Sequence, residues 1–259
     1  MLKLENIYKT FNIGTVNEKR AVDGVTLTLE EGDFVTVIGG NGAGKSTILN
    51  LIAGVYPVDQ GKILLNNTDL TPMPEHRRAR FLGRVFQDPM MGTAATMEIE
   101  ENLALAYRRG RMRGLGRGIS GAERKLYREK LSTLGLGLED RMSSKVGLLS
   151  GGQRQALTLL MATLQKPDLL LLDEHTAALD PKTADKVLQL TEELISRDHL
   201  TTLMVTHNMK NAIQYGNRLI MMDSGRVVVD IRGEEKKNLS VRDLLEKFHI
   251  ENDRMLLSE

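Results

Sequence analysis

Phe34-Val35-Thr36-Val37-Ile38 runs directly into Gly39-Gly40-Asn41-Gly42-Ala43-Gly44-Lys45-Ser46-Thr47. The first five residues form an unbroken apolar and β-branched run, the composition of a parallel strand buried on both faces. Glycines follow at once. Lys45 to Ala53 then sets Ile48, Leu49 and Ile52 on one helical face before Gly54 ends the helix. Strand, glycine loop with Lys-Ser, and helix, in that order, make a cradle for a polyphosphate. Backbone N–H groups can close on phosphate oxygens only where side chains are absent, and the helix start adds its positive dipole end. Lys45 is expected to reach the β- and γ-phosphate oxygens as a mobile cation, and the Ser46 hydroxyl to ligate Mg²⁺.

Outward from this loop the chain alternates strand and helix. Residues 2–8 and 25–38 read as strands, with further short strands at 62–65 and 83–86 around the turn-forming Pro72 and Pro74. Between Asp88 and Val146 the pattern turns helical, over Glu98–Tyr107 and Ala122–Leu134, with Arg- and Gly-rich sequence between. Alternation resumes with a helix from Ser150 to about Leu164, a strand at 168–173, a helix at 181–196, a strand at 201–206 and a helix at 208–215. Strands at 218–222 and 226–231 and a helix over Val241–Phe248 complete the chain, and the residues after Ile250 are expected to fray. The expected fold is an α/β core with an inserted helical subdomain.

Leu169-Leu170-Leu171-Leu172-Asp173-Glu174 places two carboxylates at the C-terminal end of a buried strand, where α/β sheets bind ligands. Asp173 would hold Mg²⁺ through its water shell, and Glu174 would polarise an attacking water. Leu149-Ser150-Gly151-Gly152-Gln153 lies just upstream. Its serine reads as a helix N-cap followed by glycines, offering a hydroxyl, bare amides and a positive helix end to an anion.

Bulk properties narrow the function. The 259 residues carry 35 Lys and Arg against 34 Asp and Glu, so no global field recruits nucleic acid or an anionic membrane. There is no cysteine, hence no disulfide framework and no thiolate zinc site. No apolar run approaches the roughly 18–20 residues that span a bilayer, and the N-terminus lacks the features of a signal peptide.

Together these segments resemble the ATP-binding subunits of ATP-binding-cassette transporters over roughly residues 2–231. The elements that match, in chain order, are Phe11, Gly39–Thr47, Gln87, Leu149–Gln153, Leu169–Glu174, Ala178-Leu179-Asp180 and His207. The resemblance implies a single cassette with a P-loop NTPase core of mixed sheet (1–87 and 150–231), an N-terminal antiparallel β subdomain, a helical signature subdomain (88–149) and a C-terminal helical tail (232–259). It implies an ATPase with ATP and Mg²⁺ as ligands. Gly39, Asn41, Gly42, Ala43, Gly44, Lys45, Ser46 and Thr47 would bind nucleotide, and Ser46, Gln87 and Asp173 would serve the metal.

By the same resemblance Glu174, His207 and Gln87 would be catalytic. Phe11 would stack on adenine; Tyr8 competes for that place, and core packing is the other reading of Phe11. Two subunits, identical or related, would dock head to tail so that Ser150, Gly151, Gly152 and Gln153 of one meet ATP held by the other, with Asp180 in the connecting loop. The partners implied are transmembrane permease subunits and an extracytoplasmic solute-binding protein, and no nucleic acid. The place implied is cytoplasmic, peripheral on the inner face of the cell membrane. Import of a small, amino-acid-like solute is the leading reading; an exporter ATPase or a nucleic-acid- or ribosome-associated ATPase is the alternative.

Departures from the family pattern are specific. His175 stands where proline usually follows the acidic pair, and it reads as a surface histidine. Met90, Met91 and Met97 either line a groove for a permease helix or fill the protein's own core. The basic stretch from Arg108 to Gly118 reads as a solvated loop between helices, with lipid headgroups or the permease face as the other candidates.

Overall fold

The structure, a computed structural model, describes residues 1–110 and 118–247. Along the chain the elements are β1 (Leu2–Phe11), β2 (Lys19–Leu29), β3 (Phe34–Gly39), α1 (Lys45–Ala53), β4 (Gln60–Leu65), β5 (Thr68–Asp69), α2 (Glu75–Arg78), β6 (Leu82–Val85) and α3 (Ile99–Tyr107). There follow α4 (Gly121–Ser132), α5 (Gly151–Thr163), β7 (Leu169–Asp173), α6 (Pro181–Asp198), β8 (Thr202–Val205), α7 (Met209–Gln214), β9 (Arg218–Asp223), β10 (Arg226–Arg232) and α8 (Gly233–Lys237). They gather into two compact units, Met1–Glu75 with the chain from Thr201 onward, and His76–Leu200.

The first unit contains the expected antiparallel sheet, in the order β2-β1-β4-β5. Leu2, Leu4 and Ile7 of β1 are buried, although the step from Leu4 to Ile7 breaks strict alternation. A register shift at this point, with Asn6 at φ 50°, restores the apolar face. The same unit holds strands in the order β10-β9-β3-β8, with β3 parallel to both β8 and β9 and β10 antiparallel to β9, which makes this sheet mixed. Phe34 to Ile38 are all buried, as a central strand requires. The stretch 25–38, read as strand, falls into β2 and β3, because Glu30–Asp33 form a turn between them.

Within this unit, residues 233–247 pack against α7 and the mixed sheet. Lys236 of α8 is buried and donates to the carbonyls of Tyr215 and Gly216, just past the end of α7; burial pushes its ammonium down to about 8. Residues 241–247 are helical, and Leu244 packs with Ile38, Ala212, Leu219 and Met221. Phe248, expected to end this helix, and the residues after it, including those past Ile250 that were expected to fray, lie outside the described residues.

In the second unit β6 and β7 pair in parallel, and α3, α4 and α5 share a core that includes Ile99, Leu103, Tyr127, Leu131, Leu157 and Leu160. Glu100 on α3 and Arg124 on α4 are bridged at 2.6 Å. At the start of the basic stretch, Arg108 and Arg109 depart from the solvated loop expected there. Arg108 pairs with Glu123 at 2.8 Å, and the half-buried Arg109 donates to the carbonyls of Ala162 and Gln165 at the end of α5. Arg111, Arg113 and Arg117 lie outside the described residues.

Candidate nucleotide site

In the first unit the loop leaving β3 is shaped by backbone conformations that L side chains rarely adopt. Gly39 has φ 150° and Gly44 φ 97°. A methyl group on Gly39 would lie 2.1 Å from the Met222 carbonyl oxygen, and one on Gly44 would lie 2.4 Å from that of Ala21. Glycine is therefore needed twice over, for torsion and for room. Gly44 occupies the N-cap of α1, and no side-chain cap hydrogen bond forms at that end, which leaves the positive end of the helix facing the loop. Lys45 is buried, and its Nζ donates to the carbonyls of Gly39 at 2.9 Å and Gly40 at 3.0 Å. The ammonium is folded over the loop that it would serve, which fits an anionic polyphosphate. Ser46 and Asn41 are exposed beside it, with Gly42, Ala43 and Thr47 completing the turn.

His207 follows β8, the parallel neighbour of β3, and is exposed. Thr206 N donates to Val37 O at 3.1 Å, which holds the β8 exit against the β3 exit. Asn208 caps α7 through Asn211 N, so the histidine is held between a strand end and a helix cap. Phe11, at the end of β1, meets Tyr56 edge to face with centroids 5.1 Å apart, and Lys9 Nζ lies 5.6 Å from its ring centre. Tyr8 packs its hydroxyl against Gly24 on β2. Both rings are half-buried; Phe11 ends the strand, whereas the Tyr8 hydroxyl is turned against Gly24 of the neighbouring strand.

In the second unit Val85 of β6 is the parallel partner of Leu172 of β7. Gln87 and Asp173-Glu174 therefore leave neighbouring strand ends, and Gln87 is exposed while both carboxylates are half-buried. Arg84 Nη2 lies 3.8 Å from Asp173 Oδ2, and its guanidinium rests over the Phe86 ring. Glu174 has φ 47°, uncommon for a residue with a side chain. Such outliers gather where function over-determines the backbone.

His175 overturns the surface reading. It is 2% exposed. Its Nε2 lies 3.1 Å from Thr191 Oγ1 on α6, and that hydroxyl donates to Val187 O at 2.7 Å. The Thr191 proton is thus used, so its oxygen accepts and the imidazole proton sits on Nε2. Burial pushes the imidazole pKa down to about 4. Thr191 shares an apolar face with Val187, Leu188, Leu194 and Ile195, and a lone hydroxyl at that spacing was the available signal for a buried polar partner.

Ser150 caps α5 through a reciprocal pair, its Oγ accepting from Gln153 N at 3.3 Å and Gln153 Oε1 accepting from Ser150 N at 3.2 Å. Gly151 is near Leu179, and a methyl group on Gly152 would lie 2.2 Å from Thr183 Cγ2. Asp180 caps α6 on Thr183, whose hydroxyl and amide hold its carboxyl below the usual carboxylate range.

Sequence reasoning missed Arg154. It donates to the carbonyls of Val146, Gly147 and Leu149 and reaches Met90 Sδ at 2.7 Å, pinning the approach to Ser150. Met90 and Met91 are exposed, whereas Met97 is half-buried.

Comparison with known proteins places these features in context. A family model described as ABC transporter matches residues 22–177. A protein of Clostridioides difficile described as a tyrosine transport ATP-binding protein is 44% identical over 248 residues, covering 96% of this chain and 98% of its own. A methionine import ATP-binding protein of Corynebacterium diphtheriae is 37% identical over 233 residues, covering 88% of this chain and 64% of its own. A solved dimeric structure of the ATP-binding cassette MJ0796, in a post-hydrolysis state bound to ADP and Pi, aligns with TM-score 0.76 at 32% identity over 90% of this chain and 98% of that one. Among the described residues no helix is long and apolar enough to cross a membrane.

Proposed function

The chain belongs to the ABC transporter family, whose ATP-binding cassettes hydrolyse ATP, and we propose that it energises the import of a small amino-acid-like solute through a head-to-tail dimer. The loop from Gly39 to Thr47 binds the polyphosphate by backbone amides, with Lys45 leaving the Gly39 and Gly40 carbonyls for phosphate oxygens and Phe11 bearing the adenine. Ser46, Gln87 and Asp173 would hold Mg²⁺, which would supply neutralisation of the phosphate charge. Glu174 accepts the proton of the attacking water, Gln87 orients that water, and His207 contacts the γ-phosphate side.

The two-chain reading is carried by the N-terminus of α5. Its capped, glycine-flanked end offers the Ser150 hydroxyl and bare amides to an anion that a second cassette would supply. Asp180 belongs to the loop that meets the same partner. Met90, Met91 and Met97 form the adaptable face for a permease helix, and the chain works peripherally on the inner membrane face with permease subunits and a solute-binding protein. The 44% identity to a protein described as a tyrosine transport ATP-binding protein supports the substrate class.

Mass measurement of the Glu174→Gln variant tests the dimer. With ATP and Mg²⁺ it is expected to run as a dimer and hydrolyse about 10²–10⁴ times more slowly than wild type. A monomer at every concentration, with hydrolysis unchanged, would remove the composite site. Uptake of labelled tyrosine and methionine by cells lacking the gene tests the substrate class, and undiminished uptake of both would reject it.

A further inference from the structure

Lys19 opens β2 directly across from Phe11, the two being cross-strand partners. Partners in this position project from the same face of a sheet. The lysine side chain then runs away from Phe11 to the phosphate loop. A methyl group built on Gly42 would lie 2.9 Å from Lys19 Nζ, so the ammonium sits directly over this glycine. Lys19 is exposed.

Its position relative to a nucleotide follows from chemistry alone. A nucleotide laid with its base at Phe11 and its β- and γ-phosphates in the loop must carry its ribose and α-phosphate across the interval between them. Lys19 spans that interval, rooted at one end and charged at the other. We propose that Lys19 is a second cation of the nucleotide site, contacting the α- and β-phosphate oxygens that ATP and ADP share and leaving the γ-phosphate to Lys45. This rests on the nucleotide-site reading above, with Phe11 as the base platform.

An ammonium on an exposed stem contributes as a screened point charge rather than as a rigid fork. Lys19→Met removes the charge and keeps much of the stem, and Lys19→Arg keeps the charge. Calorimetric titration of the purified chain with ADP, and with ATP in the Glu174→Gln background, reads the effect. Lys19→Met is expected to weaken both nucleotides by the same factor, about tenfold at low salt, as loss of one charge-assisted contact implies. The factor should shrink as salt rises, and Lys19→Arg should restore most of the affinity.

Unchanged ADP affinity in Lys19→Met would overturn the proposal. So would a loss confined to ATP, which would assign the ammonium to the γ-phosphate, or a loss that salt does not alter, which would mark the stem as packing for Phe11. Lys45→Ala is the control for the underlying site: if ADP binding survived that substitution undiminished, the nucleotide-site reading itself would fall, and the role of Lys19 with it.

Discussion

Acidification should cost this protein stability through one side chain, His175. An unfolded imidazole takes up a proton near its ordinary 6.5, whereas the folded one, buried beside Thr191, accepts it only at about 4. Between these values the unfolded chain binds more protons, so stability present above pH 6.5 is lost as pH falls toward 4. Each tenfold difference in proton affinity between the two states corresponds to about 1.4 kcal/mol, so the whole window is worth about 3 kcal/mol, and the step from pH 7 to pH 5 about 2 kcal/mol. That is a large share of the roughly 5–15 kcal/mol that holds a domain folded.

Glutamine at this position can present its amide N–H to Thr191 without titrating. Urea unfolding of wild type and His175→Gln at pH 7 and pH 5 isolates the effect, because carboxylates contribute equally to both proteins. Wild type should lose about 2 kcal/mol more than the variant over this interval. The imidazole C–H resonances of His175 should also hold their positions down to pH 5. An equal loss in both proteins, or a titration midpoint near 6.5, would refute the buried neutral imidazole.

Three further outcomes follow from the geometry. Gly44→Ala forces a side chain to φ 97° and to 2.4 Å from the Ala21 carbonyl oxygen, and should abolish ADP binding in calorimetry while costing about 1–3 kcal/mol in stability. Gly152→Ala drives a methyl group into Thr183 and should lower the unfolding midpoint, at a cost of about 1–3 kcal/mol, besides reducing ATPase rate. Met91→Glu changes a side chain that is 70% exposed; the isolated ATPase rate and stability should hold while solute uptake is lost, and unchanged uptake would remove the docking face.

The legible parts of the molecule were those where local pattern and function coincide. Phe34 to Ile38 announced a buried strand and Gly39 to Thr47 the turn after it, because torsion and packing demand the same residues there. The turn at Glu30–Asp33 was less visible, since apolar residues flank it on both sides and only Gly32 at φ 80° marks the reversal. His175 and Lys19 were illegible for another reason. What buries the one is a hydroxyl sixteen positions on, and what aims the other is a strand register reached after a long connection. Neither is a local property of sequence. Arg108 and Arg109 misled similarly: clustered charge usually marks a solvated face, yet Glu123 and the carbonyls at the end of α5 claim both.

The segment from Leu149 to Gln153 shows why a motif and a mechanism need separate tests. Leu149 is buried in the helical core, Ser150 and Gln153 satisfy one another at the helix start, and Gly152 gives α5 room against Thr183. Each of these positions has a reason to be what it is before any nucleotide arrives. A loss of activity at Gly152 therefore cannot distinguish a phosphate contact from a displaced helix. Gly151 can, because a methyl group there would meet only the Leu179 Cδ2 atom, at 3.3 Å, the end of a flexible side chain. Gly151→Ala should leave the unfolding midpoint within about 0.5 kcal/mol of wild type, as expected for an exposed position. If the helix end does bind phosphate from a second chain, the same substitution should lower the ATP-dependent dimer population of the Glu174→Gln protein. A stable variant that dimerises as readily as its parent would leave this segment with its structural duties alone.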